Sequence, residues 1–71
     1  DDVDLMWKVY YESFSESSEK SDALKATTDW SKKTLAKAIA EDDVDLMWKV
    51  YNKSAPGSSV ESDALKAIIE N

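Results

Sequence analysis

DDVDLMWKVY, the sequence of residues 1–10, occurs a second time at residues 42–51 with every residue identical. At the same offset, SDALKA at residues 21–26 recurs at residues 62–67. The spacers between these blocks have equal length but differ at most positions, apart from three shared serines. A unit whose ends are retained while its middle varies is typical of a helix–loop–helix hairpin, because loops tolerate substitutions that packed helices do not.

The duplication divides the chain into copy one at residues 1–30, a connector at residues 31–41 and copy two at residues 42–71. A total of 71 residues is enough for one small domain and leaves no room for a second module. Identity over ten consecutive residues, Met and Trp included, is the result either of a recent duplication or of deliberate engineering. The sequence leaves both explanations open.

Apolar residues at the start of each copy follow the spacing of an amphipathic helix. The residues at i, i+3, i+4 and i+7 are Val3, Met6, Trp7 and Tyr10 in copy one, and Val44, Met47, Trp48 and Tyr51 in copy two. Leu5 and Val9 widen the stripe of copy one. We predict an all-α fold of three to four helices, formed by two helix–loop–helix hairpins and a helical connector. The eight stripe residues are the candidate interaction surface.

The connector, SKKTLAKAIAE, consists of helix-forming residues and contains neither Gly nor Pro. Its apolar residues continue into copy two at spacings of three and four, which predicts a helix from about residue 31 to residue 52. Asp42 or Asp43 offers a competing break, because the same DDVD sequence begins the first helix. A helix that also extended back to Asp22 would be roughly 46 Å long and would require a partner chain.

Short polar residues, together with the only Pro and the only Gly, mark the expected helix ends. Asp1 or Asp2 is the expected N-cap of the first helix, and the Ser- and Glu-rich residues 13–21 predict a loop. Ser21 or Asp22, and their counterparts in copy two, are the expected N-caps of the second helix of each hairpin. APGS at residues 55–58 predicts a β-turn with Pro second and Gly third.

The charge of the chain argues against nucleic acid as a partner. The net charge is −6. All nine basic residues are lysines, so the chain has no arginine that could bind phosphates or bases in a bidentate manner. The cluster of Lys32, Lys33 and Lys37 is explained by the solvated face of a helix. No apolar run approaches the roughly 18–20 residues that span a bilayer, so we expect no membrane partner. The absence of cysteine leaves the compartment undetermined, although it favours the cytosol over an oxidising compartment.

The composition predicts that the chain is not an enzyme and carries no cofactor. The sequence has no His and no Cys, which removes the usual neutral-pH general base and the thiolate nucleophile. The serines have no base partner that the sequence identifies. Asp42 and Asp43 could ligate a divalent cation, but helix capping explains the pair without a metal site.

Residues 44–69, VDLMWKVYNKSAPGSSVESDALKAII, resemble an EF-hand, the helix–loop–helix calcium module. WKVYNK at residues 48–53 matches the end of the entering helix and the first loop positions. Gly57 resembles the loop glycine of that family, and Val60 resembles its hydrophobic loop residue. The resemblance implies two hands, one in each copy.

The candidate loops lack the calcium ligands of the family. In copy two the loop is one residue longer, Ser54 and Pro56 replace acidic ligands, and Ala64 replaces the closing Glu. In copy one Glu16 stands at the glycine position. The resemblance therefore implies hands that bind no calcium and retain at most the ability to bind a partner helix.

We expect a non-enzymatic structural or protein-interaction module that self-associates, with a homodimer favoured among homo-oligomers. A chain of this size without disulfides buries little area relative to its conformational entropy, so apolar surface shared with a second copy would stabilise it. The alternative is an EF-hand-like module that binds a partner helix in a groove without calcium.

Overall fold

The computed structural model describes residues 2–14 and 17–70, and within these ranges the chain forms four α-helices and no strand. The helices are α1 (Val3–Glu12), α2 (Ser18–Glu41), α3 (Val44–Lys53) and α4 (Ser59–Glu70). The predicted all-α class is confirmed. Asp1 and residues 15–16, which include the Glu16 of the EF-hand comparison, lie outside the described residues.

The long helix α2 organises the other three. Its 24 residues correspond to about 36 Å, close to the 39 Å length of the whole molecule. α1 packs against α2, where Lys20 Nζ lies 4.6 Å from the ring centroid of Tyr10. α3 packs against both α4 and α2, and the core residues Leu35 and Ala38 belong to the second half of α2. The connector is therefore the C-terminal part of α2.

The prediction of one helix over residues 31–52 is wrong, because α2 ends at Glu41. Asp42 adopts the left-handed conformation with φ 54°, and the Asp43 N–H donates to the Ala38 carbonyl at 2.9 Å. This pattern is a Schellman-type helix end. The Asp43 side chain then accepts from the Leu46 N–H at 3.1 Å and begins α3. The competing break at Asp42 and Asp43 is the one that the structure adopts, and the connector fuses with the preceding helix instead.

The predicted N-caps Ser21 and Asp22 are also wrong, because α2 begins one turn earlier at Ser18. The Ser17 hydroxyl accepts from the Lys20 N–H at 3.2 Å. In copy two the expected caps Ser62 and Asp63 likewise lie inside α4. There the Ser58 hydroxyl accepts from the Glu61 N–H at 3.2 Å.

The serines shared by the two spacers act at helix ends. Ser17 and Ser58 occupy equivalent positions and cap the second helix of each hairpin. Ser13 and Ser54 follow α1 and α3, and each donates its backbone N–H and its hydroxyl to the carbonyl four residues earlier. Two of the three identities within the variable spacers are thus explained by hydrogen bonds that satisfy the free backbone groups at helix ends.

The predicted turn at residues 55–58 is present. The Ser58 N–H donates to the Ala55 carbonyl at 3.1 Å, and Gly57 has φ 77°. A positive φ at the third position defines a type II turn and favours glycine there. The Gly57 N–H also donates to the Glu61 carboxylate at 3.1 Å, so that Ser58 and Glu61 together satisfy two backbone donors at the start of α4.

The hydrophobic core lies almost entirely around copy two. It joins α2, α3 and α4 through Leu35, Ala38, Met47, Val50, Val60 and Ala64. A hydrogen bond of 3.2 Å between the buried hydroxyls of Ser31 and Ser54 ties α2 to the end of α3. In copy one Val3 and Ala23 are the buried apolar residues of the described part. The two hairpins share sequence but differ in how much of it they bury.

We expect the two equivalent valines to differ in their contribution to stability. Val50 is fully buried and Val9 is 43% exposed, although each belongs to the same ten-residue sequence. Val50→Ala should lower the free energy of unfolding by about 2 kcal/mol, because it leaves a cavity in the core. Val9→Ala is the matched control and should change it by less than about 0.5 kcal/mol. Urea denaturation followed by circular dichroism measures both, and equal losses would contradict the described packing.

Candidate functional site

An open apolar groove lies beside α1. It is lined by apolar side chains of α1 and one residue of α2, with a carboxylate at one end: Asp2, Leu5, Met6, Val9 and Ala23. We call it the α1 groove. Asp2 is the N-cap of α1, where its carboxylate accepts from the backbone N–H groups of Asp4 and Leu5. The floor of the groove is apolar and carries no group suited to acid–base chemistry.

Every residue that lines the α1 groove has an identical counterpart in copy two. The counterparts are Asp43, Leu46, Met47, Val50 and Ala64. We call this second set the α3 groove. Met47, Val50 and Ala64 belong to the hydrophobic core, and Leu46 packs against it. The α3 groove is filled, because Leu35 and Ala38 of α2 are members of the same core cluster.

One sequence therefore occupies two environments in this chain. In copy two the second half of α2 supplies the apolar side chains that fill the groove. In copy one Leu5 and Val9 are exposed, and none of the described residues covers them as Leu35 and Ala38 cover α3. The α1 groove is thus a chemical duplicate of an occupied helix-binding groove.

The eight predicted interaction residues do not form one surface. Val3 and Met47 are buried within the chain, and Trp48 is 44% exposed. The remaining stripe residues are half-buried: Met6, Trp7, Tyr10, Val44 and Tyr51. Met6 lines the α1 groove together with Leu5 and Val9, which the helical stripe also included. That these residues contact another molecule stays a prediction.

A second exposed apolar edge lies on α4. Leu65 and Ile69 lie one turn apart and are 37% and 74% exposed. Ile68, by contrast, packs against the core. The amphipathic spacing of α4 predicts an apolar side that contains Leu65, Ile68 and Ile69. It does not show which of these three side chains faces the core. We call Leu65 and Ile69 the α4 edge.

Trp7 connects the two hairpins. Its Nε1–H donates to the Lys53 carbonyl at 2.6 Å, and this carbonyl belongs to the last turn of α3. The final carbonyls of a helix lack partners within the helix, so the indole satisfies one of them. The ring also packs edge-to-face on Tyr10, with 5.4 Å between the centroids. Trp7 is thus used inside the chain and is less available to a partner than Trp48.

An ion pair supports the same junction. Lys53 Nζ lies 2.8 Å from Asp4 Oδ1, and this hydrogen bond, together with the positive charge of Lys53, lowers the pKa of the Asp4 carboxyl. A lowered pKa stabilises the folded state above the ordinary pKa of Asp, and this contribution is lost as the pH falls through the lowered value. Both side chains are largely exposed, so the contribution is small.

The positions of the EF-hand comparison do not converge on a cation. Ala64, at the position of the closing Glu, is buried in the core. Within residues 2–14 and 17–70, no group of three or more acidic, His or Cys side chains is placed to hold a metal ion. The carboxylates of Asp2 and Asp43 cap helices.

In comparisons with known proteins, no family model matches the chain, and no characterised protein or solved structure is similar to it. Among the described helices, none is long and apolar enough to cross a bilayer.

We expect Trp7→Phe to lower the free energy of unfolding by about 1 kcal/mol, because the Lys53 carbonyl loses its indole donor. Trp48→Phe is the matched control, since Trp48 is the equivalent residue and its ring is more exposed. It should change stability by less than about 0.5 kcal/mol. Chemical denaturation measures both variants. A larger loss for Trp48→Phe would contradict the contact between Trp7 and α3.

We expect no calcium binding in the micromolar range, because the loop between α3 and α4 lacks the carboxylates that set the affinity of an EF-hand. Isothermal titration calorimetry of the chain with calcium chloride should give only heats of dilution. Saturable binding with micromolar affinity would refute this expectation.

Proposed function

We propose that the chain is a non-enzymatic protein-interaction module that self-associates, with a dimer as the favoured assembly. The observation that carries this proposal is the amount of apolar side chain left exposed. The exposed large apolar residues of the described part are Leu5, Val9, Tyr11, Phe14, Ile39, Trp48, Leu65 and Ile69. Their removal from water contributes about 25 cal/mol for each Å² buried, and this gain opposes the entropy that the partners lose on association.

Two features favour a second copy of this chain as the partner. The α1 groove has the residues of a groove that this same chain already fills with one of its own helices. The α4 edge offers further helical apolar surface in the same molecule. A chain that carries both a groove and exposed helical edges can satisfy one with the other from a neighbouring copy.

The non-enzymatic part of the proposal is supported by the chemistry of the polar residues. The chain has no His and no Cys, and the carboxylates of Asp2 and Asp43 are engaged in helix capping. Ser13, Ser17, Ser54 and Ser58 likewise donate or accept hydrogen bonds at helix ends. We propose that the chain binds no cofactor, no nucleic acid and no membrane.

The second candidate is an EF-hand-like module that binds the helix of a different protein without calcium. The open α1 groove favours it, because an apolar groove between two helices is a common receptor for an amphipathic helix. The two candidates differ in a simple way: only the first predicts association of the purified chain with itself.

We expect the average mass in sedimentation equilibrium to rise from monomer toward dimer as the protein concentration increases. Each copy has a net charge of −6, so added salt should strengthen the association by screening the repulsion between copies. The melting temperature should rise with protein concentration, because mass action favours the assembled state.

A monomeric mass over a hundredfold concentration range, with a constant melting temperature, would refute self-association. It would leave the partner-helix candidate standing. Weaker association at higher salt would show that ion pairs rather than apolar contacts drive the assembly.

A further inference from the structure

We propose that the chain binds a small amphipathic organic anion, a molecule with an apolar body and a carboxylate or sulfonate group, in a cleft bounded by α1, α2 and α3. The cleft has an apolar floor and three lysines at its rim. We call it the basic cleft. Its lysines lie outside the α1 groove, and the inference does not depend on self-association.

The floor of the basic cleft is formed by side chains at the edge of the hydrophobic core. Trp30 and Leu46 pack against the core and also line the cleft, and Met6 lines it from α1. All three side chains are half-buried, so each leaves part of its apolar surface in contact with water. The cleft has a volume of about 560 Å³, within the roughly 300–1,000 Å³ that is typical of small-molecule pockets. A ligand with an apolar body would cover this floor.

Three lysines from two helices belong to the rim. Lys33 and Lys37 lie one turn apart on α2, and Lys49 lies on α3. Asp29 is the one carboxylate among the described residues that line the cleft, so the rim is positive in a chain whose net charge is −6. In the described part of the chain, the ion pairs involve other lysines, and none joins a rim lysine to a carboxylate. The rim lysines are therefore available to a negative group of another molecule.

Thr34 adds a hydrogen-bonding group to the cleft. The hydroxyls of Thr27 and Thr28, which also belong to α2, each donate to the carbonyl four residues earlier. The Thr34 hydroxyl makes no such bond within residues 2–14 and 17–70, although the residue is half-buried and lines the cleft. An oxygen of the ligand could accept its proton, because a hydroxyl rotates to suit its acceptor.

The floor and the rim together define the class of ligand. Inorganic phosphate would leave the apolar floor in contact with water, and a neutral hydrocarbon would leave the lysines without a partner. An exposed ion pair contributes little by itself, so binding also requires the burial of apolar surface. An amphipathic anion satisfies both requirements.

The basic cleft has no counterpart in copy two. Trp30, Lys33, Thr34 and Lys37 lie outside the two duplicated blocks, so no second set of the same residues exists in the sequence. We therefore expect one binding site in each chain.

The test is a fluorescence titration of the full chain with anilinonaphthalene sulfonate, a flat aromatic anion whose emission rises in an apolar environment. We expect one molecule per chain, with a dissociation constant of roughly 10–100 µM. Added salt should weaken the binding, because it screens charges at an exposed rim. N-phenylnaphthylamine has the same aromatic body without the sulfonate and should bind at least about fivefold more weakly.

Substitution of the rim lysines assigns the site. The double variant Lys33→Gln and Lys37→Gln should raise the dissociation constant by roughly fivefold to tenfold. The double variant Lys25→Gln and Lys32→Gln is the matched control, since both lysines are exposed on α2 and neither lines the cleft. The two double variants have the same net charge, so a non-specific effect of charge would be equal in both.

The duplication supplies a second matched pair. Lys8 and Lys49 occupy the same position in the duplicated segment, and of the two Lys49 lines the cleft. Lys49→Gln should raise the dissociation constant by about twofold to threefold, whereas Lys8→Gln should leave it unchanged. Circular dichroism confirms the folding of each variant, and this pair decides the question if a double variant fails to fold.

Three outcomes would overturn the proposal. Equal dissociation constants for the cleft variants and their controls would show that the sulfonate binds an apolar surface elsewhere, such as the α1 groove. Equal affinity for the neutral analogue would show that the lysines contribute nothing. Cleft variants that lose self-association in sedimentation equilibrium, yet bind the sulfonate unchanged, would show that these lysines contact acidic residues of a second copy instead.

Discussion

The packing of the second half of α2 onto α3 and α4 is the interaction on which the rest of the structure depends. Leu35 and Ala38 contribute to a core with Met47, Val50 and Ala64, and six of the eight buried apolar residues in the described part of the chain belong to it. Because α2 is continuous, this core also fixes the direction of the segment on which α1 lies. Copy one is then held mainly by its contacts with α2 and by the Trp7 hydrogen bond to the end of α3. Substitutions in α1 should therefore lower the free energy of unfolding less than equivalent substitutions in α3.

Because the two copies share much of their sequence, their differences show which structural features depend on local sequence and which depend on tertiary contacts. Both copies form a helix over the same positions, with an Asp N-cap before the helix and a Ser after it, because capping and helical periodicity depend on neighbours in sequence. Burial, by contrast, differs between equivalent residues of the two copies. Val9 and Val50 have identical neighbours on their N-terminal side, yet one is 43% exposed and the other is completely buried. The difference is that α2 reaches α3 from outside its hairpin.

The same distinction explains which parts of the structure the sequence predicts. The helical class, the stripes and the type II turn at Pro56-Gly57 follow from local spacing and turn chemistry. The end of α2 at Glu41 does not, since apolar residues keep a helical spacing through Asp42, and a left-handed residue followed by an Asp cap overrides that spacing. The start of α2 does not follow either, because several serines and acids are adequate N-caps, and local sequence alone does not rank Ser17 above Ser21. The open groove was not predictable from identical sequences, because its exposure depends on which hairpin α2 covers.

The unequal burial of two identical segments has a general consequence for how this chain can interact. A duplicated hairpin creates two grooves of the same composition, whereas α2 fills one of them. The α1 groove has the same residues as the α3 groove, which holds a helix in copy two. In copy two the side chains that fill the groove are Leu35 and Ala38, which lie three positions apart on α2. An exposed apolar groove thus arises from the duplication itself, without any residue that lacks a structural role in the other copy. A separate chain bound in the α1 groove would lose translational entropy, whereas α2 is covalently attached and loses none when it packs against α3.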